Sequence, residues 1–171
     1  FFVGFSVSGL ASQMQGYSYF AAAMLMLFFT GMKDDLVGLS PLKKLAVEVA
    51  VGIMLIFGSG IYISNFYGVL GIGELPFAVS VVITLFTMIV VVNAYNLIDG
   101  VDGLAGGIGV IASLFFGIGF FFAGDYAMAM LSAVVVAALA GYLLHNFHPA
   151  SIFMGDTGSL IIGFLLAVQA I

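Results

Sequence analysis

Three polar stretches interrupt an otherwise apolar chain, and each carries side chains able to do chemistry. They are GMKDDLVGLSPLKKL (residues 31–45), NAYNLIDGVDGLAGG (93–107) and FHPASIFMGDTGSL (147–160). The first holds Asp34, Asp35 and Lys44, the second Asn93, Asn96, Asp99 and Asp102, and the third Phe153 and Asp156. Aspartate oxygens suit Mg²⁺, and a lysine ammonium is a point charge that suits phosphate. Gathered in one place, the carboxylates would repel and raise one another's pKa unless a cation joined them. The chemistry such a set points to is metal-assisted work on phosphate groups.

Each stretch also has a plainer reading. Asp34 and Asp35 suit a solvated helix end, with Pro41 starting the next helix. Lys44 could pair with Glu48 at i,i+4, and Glu48 could snorkel to an interface. The Asp-Gly pairs at 99–100 and 102–103 are turn signals. Turns alone leave Asn93 and Asn96 unexplained, since with Asp99 they mark one face at the end of an apolar helix and could point together into a cavity. The spacing does not fit an EF-hand loop, and GLAGGIG has no βαβ unit around it. In the third stretch Asp156, Thr157 or Ser159 would cap the following helix, whose N–H groups could also bind phosphate. Phe153 is either an interfacial aromatic or a stacking platform for a base. His145 and His148 lack a third nitrogen or sulfur ligand for zinc, and are read as interfacial and structural.

The elements that must position these groups follow from composition. Of 171 residues, 64% are hydrophobic and 6% charged, against about 25% charged in soluble domains. Apolar runs approach the roughly 20 residues that cross a bilayer core of about 30 Å, and none alternates as a β-barrel strand would. The fold class is therefore all-α, a polytopic transmembrane helical bundle in a single integral membrane domain, 1–171. The absence of cysteine excludes disulfides. With a net charge of −5 and three basic side chains, the chain is not expected to bind nucleic acid.

Spans are expected at 1–11, 17–32, 44–63, 77–95, 104–122, 126–144 and 159–171, the first and last incomplete, as in a piece of a longer protein. The loops 33–43, 96–103 and 145–158 are each separated by two spans, so all three share one face. That face receives five aspartates and the lysines; the opposite one receives Glu74 and Asp125. The positive-inside rule makes the lysine-bearing face cytoplasmic. A transporter or channel is the competing class, because intramembrane acids often mark ion pathways. Acids at helix ends on one face suit an interfacial enzyme better. A structural subunit without a site would leave the Asn–Asn–Asp face unexplained.

MKDDLVGLSPLKK, NAYNLIDGVDGLAGG and IFMGDTGSL, in this order over about residues 31–165, resemble the polyprenyl-phosphate N-acetylhexosamine-1-phosphate transferases. The resemblance implies a membrane protein of about ten or eleven helices, with a further His-rich cytoplasmic loop that this sequence lacks. The implied reaction joins UDP-N-acetylhexosamine to polyprenyl phosphate, giving polyprenyl-diphospho-N-acetylhexosamine and UMP, with Mg²⁺ or Mn²⁺. It implies Asp34, Asp35 and Asp99 as catalytic acids, Asp156 and Asn96 at the metal, and Lys44 on the diphosphate. Phe153 would stack on uracil, Asp102 would contact its edge, and Asn93 would face substrate. NLIDGVDG and GDTGS look closer to the branch using UDP-N-acetylglucosamine than to the pentapeptide branch. A bacterial cytoplasmic membrane, surrounding lipid and a homodimer complete the expectation.

Overall fold

A computed structural model describes residues 7–171. Among the described residues there are six α-helices: α1 (Val7–Val37), α2 (Pro41–Met54), α3 (Phe77–Ile98), α4 (Leu104–Ala123), α5 (Tyr126–Asn146) and α6 (Gly155–Ala170). A π-helical turn, Leu55–Ser59, extends α2 and ends at Gly60 in the left-handed region. The 60–76 connection has one isolated bridge, Asn65 to Glu74, and a short 3₁₀ turn.

Among the described residues three helices, α3, α4 and α5, are long and apolar enough to cross a membrane. The valine- and isoleucine-rich run of α3 would favour strand in water. In an apolar solvent the backbone must satisfy its own hydrogen bonds, and a helix does so within one segment. The outward faces stay apolar, as at Phe86, Phe115, Phe122 and Leu144. That suits contact with lipid.

The core lies where α1, α2, α3 and α6 meet, with Leu27, Leu55, Met88, Val92, Leu160 and Phe164 buried together. α6 is the interior helix: residues 163–169 are all buried. Its polar Gln169 is satisfied there, accepting from Ser132 Oγ at 2.8 Å and donating to the Leu165 carbonyl at 3.1 Å. Close approach between α1 and α6 depends on Gly31, where a Cβ would lie 2.5 Å from the Asp156 carbonyl oxygen. Small residues at such crossings let apolar helices pack through van der Waals contact.

The sequence expects a break between spans at 1–11 and 17–32, and this needs correction. α1 runs unbroken through Ser12, Gln13 and Gln15; residues 1–6 lie outside the described part. These polar residues lower hydropathy without breaking a helix, since glutamine is a fair helix former and no proline intervenes. The expected loops are also shorter, at 38–40, 99–103 and 147–154. Asp34, Asp35, Asn96 and Asp156 thus sit on helix ends, where their backbone is fixed. The sidedness count is unaffected, because the missing break lies before all three loops.

Candidate active site

The α1–α2 turn sets the first part of the site. α1 ends at Gly38, whose φ of +71° suits glycine and whose N–H donates to the Asp34 carbonyl at 2.9 Å. Asp34 Oδ1 accepts from the Leu39 N–H, and Pro41 opens α2. Lys44, one turn into α2, is thereby returned to Asp34: its Nζ lies 2.9 Å from Asp34 Oδ2. The same ammonium pairs with Asp156 Oδ2 of α6. Both carboxylates and the lysine are partly buried, with 14–25% side-chain exposure.

α6 begins without a side chain of its own at the cap position. The expectation that Asp156, Thr157 or Ser159 caps this helix is therefore overturned. Asp35 does so from α1: its carboxylate accepts from the Asp156 N–H at 2.8 Å, the Thr157 N–H at 3.0 Å and the Thr157 hydroxyl at 2.5 Å. Asp99 takes the next position, accepting from the Gly155 N–H at 2.9 Å. The N-terminal N–H groups are thus held by two carboxylates rather than free for phosphate. Negative charge is favoured there by the helix dipole.

α3 delivers Asn96 and Asp99. Asn96 donates to Asp156 Oδ1 at 2.6 Å and to Ser159 Oγ at 2.7 Å. Asp99 is 8% exposed and also accepts from Tyr142 of α5 at 3.3 Å. Burial pushes the Asp99 carboxyl above its ordinary value, opposed by the Gly155 N–H and the Tyr142 hydroxyl. Asn93 turns elsewhere, donating to Glu48 Oε2 at 2.5 Å and to the Ile89 carbonyl at 2.9 Å. Asn93, Asn96 and Asp99, expected on one face, thus bond different partners: Glu48, Asp156 with Ser159, and Gly155 with Tyr142.

Asp102 and Phe153 lie on the two connecting loops. Asp102 Oδ2 is 2.8 Å from His148 Nδ1 and accepts from the Ala150 N–H at 3.2 Å. The hydrogen bond from His148 holds the Asp102 carboxyl below its ordinary value. His148 is otherwise exposed, and Phe153 is 55% exposed. Asn146, which sequence reasoning missed, joins these loops. It is 1% exposed, accepts from the Gly103 N–H at 2.9 Å and donates to the Ile152 carbonyl at 2.8 Å. Its signal was available: an asparagine ending an apolar helix, as Asn93 and Asn96 do.

Glu48 corrects two further expectations. It neither snorkels nor pairs with Lys44; it is 1% exposed and bonded to Asn93. A facing amide supplies the partner that snorkelling would have sought in water.

Among the described residues no group of three His, Cys, Asp or Glu side chains converges to hold a metal. Mg²⁺ does not require one, since it binds through one or two carboxylates and completes its shell with water and substrate phosphate. Asp34 and Asp156 flank a single cationic group, so their chemistry fits an ion of that kind.

The resulting cluster places three acidic elements and one lysine at one end of an apolar bundle. Residues 17–171 match the family model described as glycosyl transferase family 4. The chain is 38% identical over 150 residues to a decaprenyl-phosphate N-acetylglucosaminephosphotransferase of Mycobacterium tuberculosis, covering 82% of this chain and 37% of that protein. It is 31% identical over 176 residues to a probable undecaprenyl-phosphate N-acetylglucosaminyl 1-phosphate transferase of Bacillus subtilis, covering 98% of this chain and 47% of the relative. A phospho-N-acetylmuramoyl-pentapeptide-transferase of Rubrobacter xylanophilus is 46% identical over 103 residues, 60% of this chain and 31% of that protein. The chain thus spans less than half the length of these relatives. With its family match extending over nearly the whole sequence, the chain belongs to glycosyl transferase family 4.

Proposed function

We propose that the protein transfers N-acetylhexosamine 1-phosphate, with N-acetylglucosamine as the sugar, from its UDP derivative to polyprenyl phosphate. UMP is the second product, and the site faces the cytoplasm of a bacterial membrane. The observation that carries this reading is Lys44 held between Asp34 and Asp156, in a chain similar to transferases named for that sugar phosphate. Phosphoryl transfer needs positioning and charge neutralisation more than covalent help from the protein, and this cluster is suited to both.

In this reading the lipid phosphate attacks the sugar-linked phosphorus directly. A P–O bond forms to the lipid phosphate, and the P–O bond to UMP breaks. A phosphate monoester with a second pKa of about 6 is already mostly dianionic at neutral pH. Asp34 and Asp35 therefore contribute by positioning more than by removing a proton. Lys44 neutralises the diphosphate, Asp156 and Asn96 would hold Mg²⁺, and Asp35 and Asp99 keep the start of α6 in place. When bound, Mg²⁺ supplies Lewis acidity at the diphosphate and at the departing UMP. Phe153 and Asp102 receive the uracil, and the polyprenyl tail lies among the apolar helices.

The test is UMP release by the intact protein from a panel of UDP-N-acetylhexosamines, with polyprenyl phosphate and Mg²⁺. Release with UDP-N-acetylglucosamine is expected. No release from any member would defeat the reading. A phosphorylated enzyme formed from UDP-sugar alone, with UMP liberated, would replace direct attack by a two-step route.

A further inference from the structure

Glu48 is a carboxylate buried on an otherwise apolar stretch of α2, at 1% exposure. Such a group is costly inside a membrane, about 2.5–3.5 kcal/mol at a helix centre on insertion scales. Its Oε2 accepts from Asn93 of α3 at 2.5 Å, while Oε1 has no hydrogen-bond partner. A leucine would fill the same place without that cost. Among the described residues this is the side-chain hydrogen bond that joins α2 to α3.

Its register relates it to the site. Glu48 follows Lys44 by four residues on α2, and Asn93 precedes Asn96 by three on α3, so each lies one turn deeper on its own helix. The outer rung is Lys44 to Asp156 to Asn96, and the inner rung is Glu48 to Asn93. The inner bond fixes the spacing and rotation of the two helices that deliver Lys44 and Asn96 to one aspartate. We infer that Glu48 and Asn93 are a buried positioning pair that sets how Lys44 and Asn96 meet Asp156.

The role rests on the transferase reading above, and it is distinct from substrate contact. Partners that orient the groups at a metal site typically matter by about 10- to 100-fold. They act on kcat more than on KM when the positioned contacts strengthen in the transition state. Glu48→Asp shortens the α2 side by one methylene and should lower kcat by about 10- to 100-fold, with little change in KM for UDP-N-acetylglucosamine. Asn93→Gln, added to Glu48→Asp, returns that methylene from α3 and should recover most of the loss. Glu48→Gln, whose carbonyl can accept the same hydrogen bond, should recover it as well.

The experiment is steady-state kinetics of these variants of the intact protein in detergent, with thermal unfolding measured in parallel. A lower melting temperature with unchanged kcat in Glu48→Asp would show a merely structural bond and overturn the inference. Failure of the Glu48→Asp/Asn93→Gln pair to regain activity would also overturn it. Should Glu48→Asp not fold, Asn93→Ala reports the same bond from α3; the inference predicts a kcat loss there and is overturned by a wild-type value. Absence of turnover in the wild type itself would instead overturn the transferase reading.

Discussion

Lys44 and Asp156 lie 112 positions apart in sequence and form an ion pair that joins α2 to α6, with Asp34 of α1 2.9 Å from the same ammonium. One lysine therefore bridges two carboxylates drawn from different helices. Replacing it with methionine leaves those carboxylates facing each other, at a cost of about 1–3 kcal/mol for groups deprived of their partner. Lys44→Met should unfold at lower temperature than wild type and lose turnover. Millimolar Mg²⁺ should restore more melting temperature to the variant than it adds to wild type. Equal Mg²⁺ effects on both proteins would show that the two carboxylates do not accept a cation.

Gly155 starts α6 with φ of +64°, and a Cβ there would lie 3.0 Å from both carboxylate oxygens of Asp35. Gly155→Ala incurs about 1–2 kcal/mol for the left-handed backbone, and also pushes Asp35 from the N–H groups it caps. We expect a lower melting temperature and a matching fall in activity. Unaltered activity would mean that the Asp35 cap does not govern the site.

Much of this arrangement is legible in the sequence. Hydropathy gave the helices because apolar solvent forces backbone self-satisfaction, and loop parity gathered the aspartates at one end. The division of labour among them was not legible. Asp35 reads as a metal or catalytic acid in sequence, yet it caps a helix begun 120 residues later. Asn93 reads as part of the Asn96–Asp99 face, but a buried Glu48 on another helix claims it. Such cross-helix pairings depend on rotation about helix axes, which periodicity in one segment does not set. The break expected near residue 12 failed because hydropathy falls at polar side chains while the helix backbone continues.

Asn146 predicts an effect confined to the loops. Asn146→Ala leaves the Gly103 N–H and the Ile152 carbonyl unpaired, costing about 1–3 kcal/mol. Hydrogen exchange should quicken at 99–103 and 147–154, while the start of α6, capped by Asp35 and Asp99, keeps its protection. Equal acceleration in both regions would contradict separate anchoring.

Asp102 and His148 give a pH prediction with a definite sign. Because the folded-state pKa of Asp102 lies below its ordinary value, the pairing contributes stability above the unfolded carboxylate value of about 3.9. It is lost only as pH falls further, through the folded-state value. A tryptophan replacing Phe153 should therefore change its emission as pH falls below about 4. Asp102→Asn should remove that acid transition; its persistence would assign the transition to another group.

Asp102 and Asp156 should also separate in kinetics. Asp102→Ala should chiefly raise KM for the UDP-sugar, whereas Asp156→Ala, which removes the partner of Lys44 and Asn96, should abolish Mg²⁺-dependent turnover. The reverse pattern would reverse the two assignments.

On the function proposed above, the cluster moves a sugar phosphate and not a sugar alone. UDP-N-acetylglucosamine labelled at the β-phosphate, given to the intact protein with polyprenyl phosphate and Mg²⁺, distinguishes the two. We expect label in the lipid fraction and unlabelled UMP, with both lost on chelation and in Asp156→Ala. Label retained in released UDP, or transfer that persists in Asp156→Ala, would contradict it.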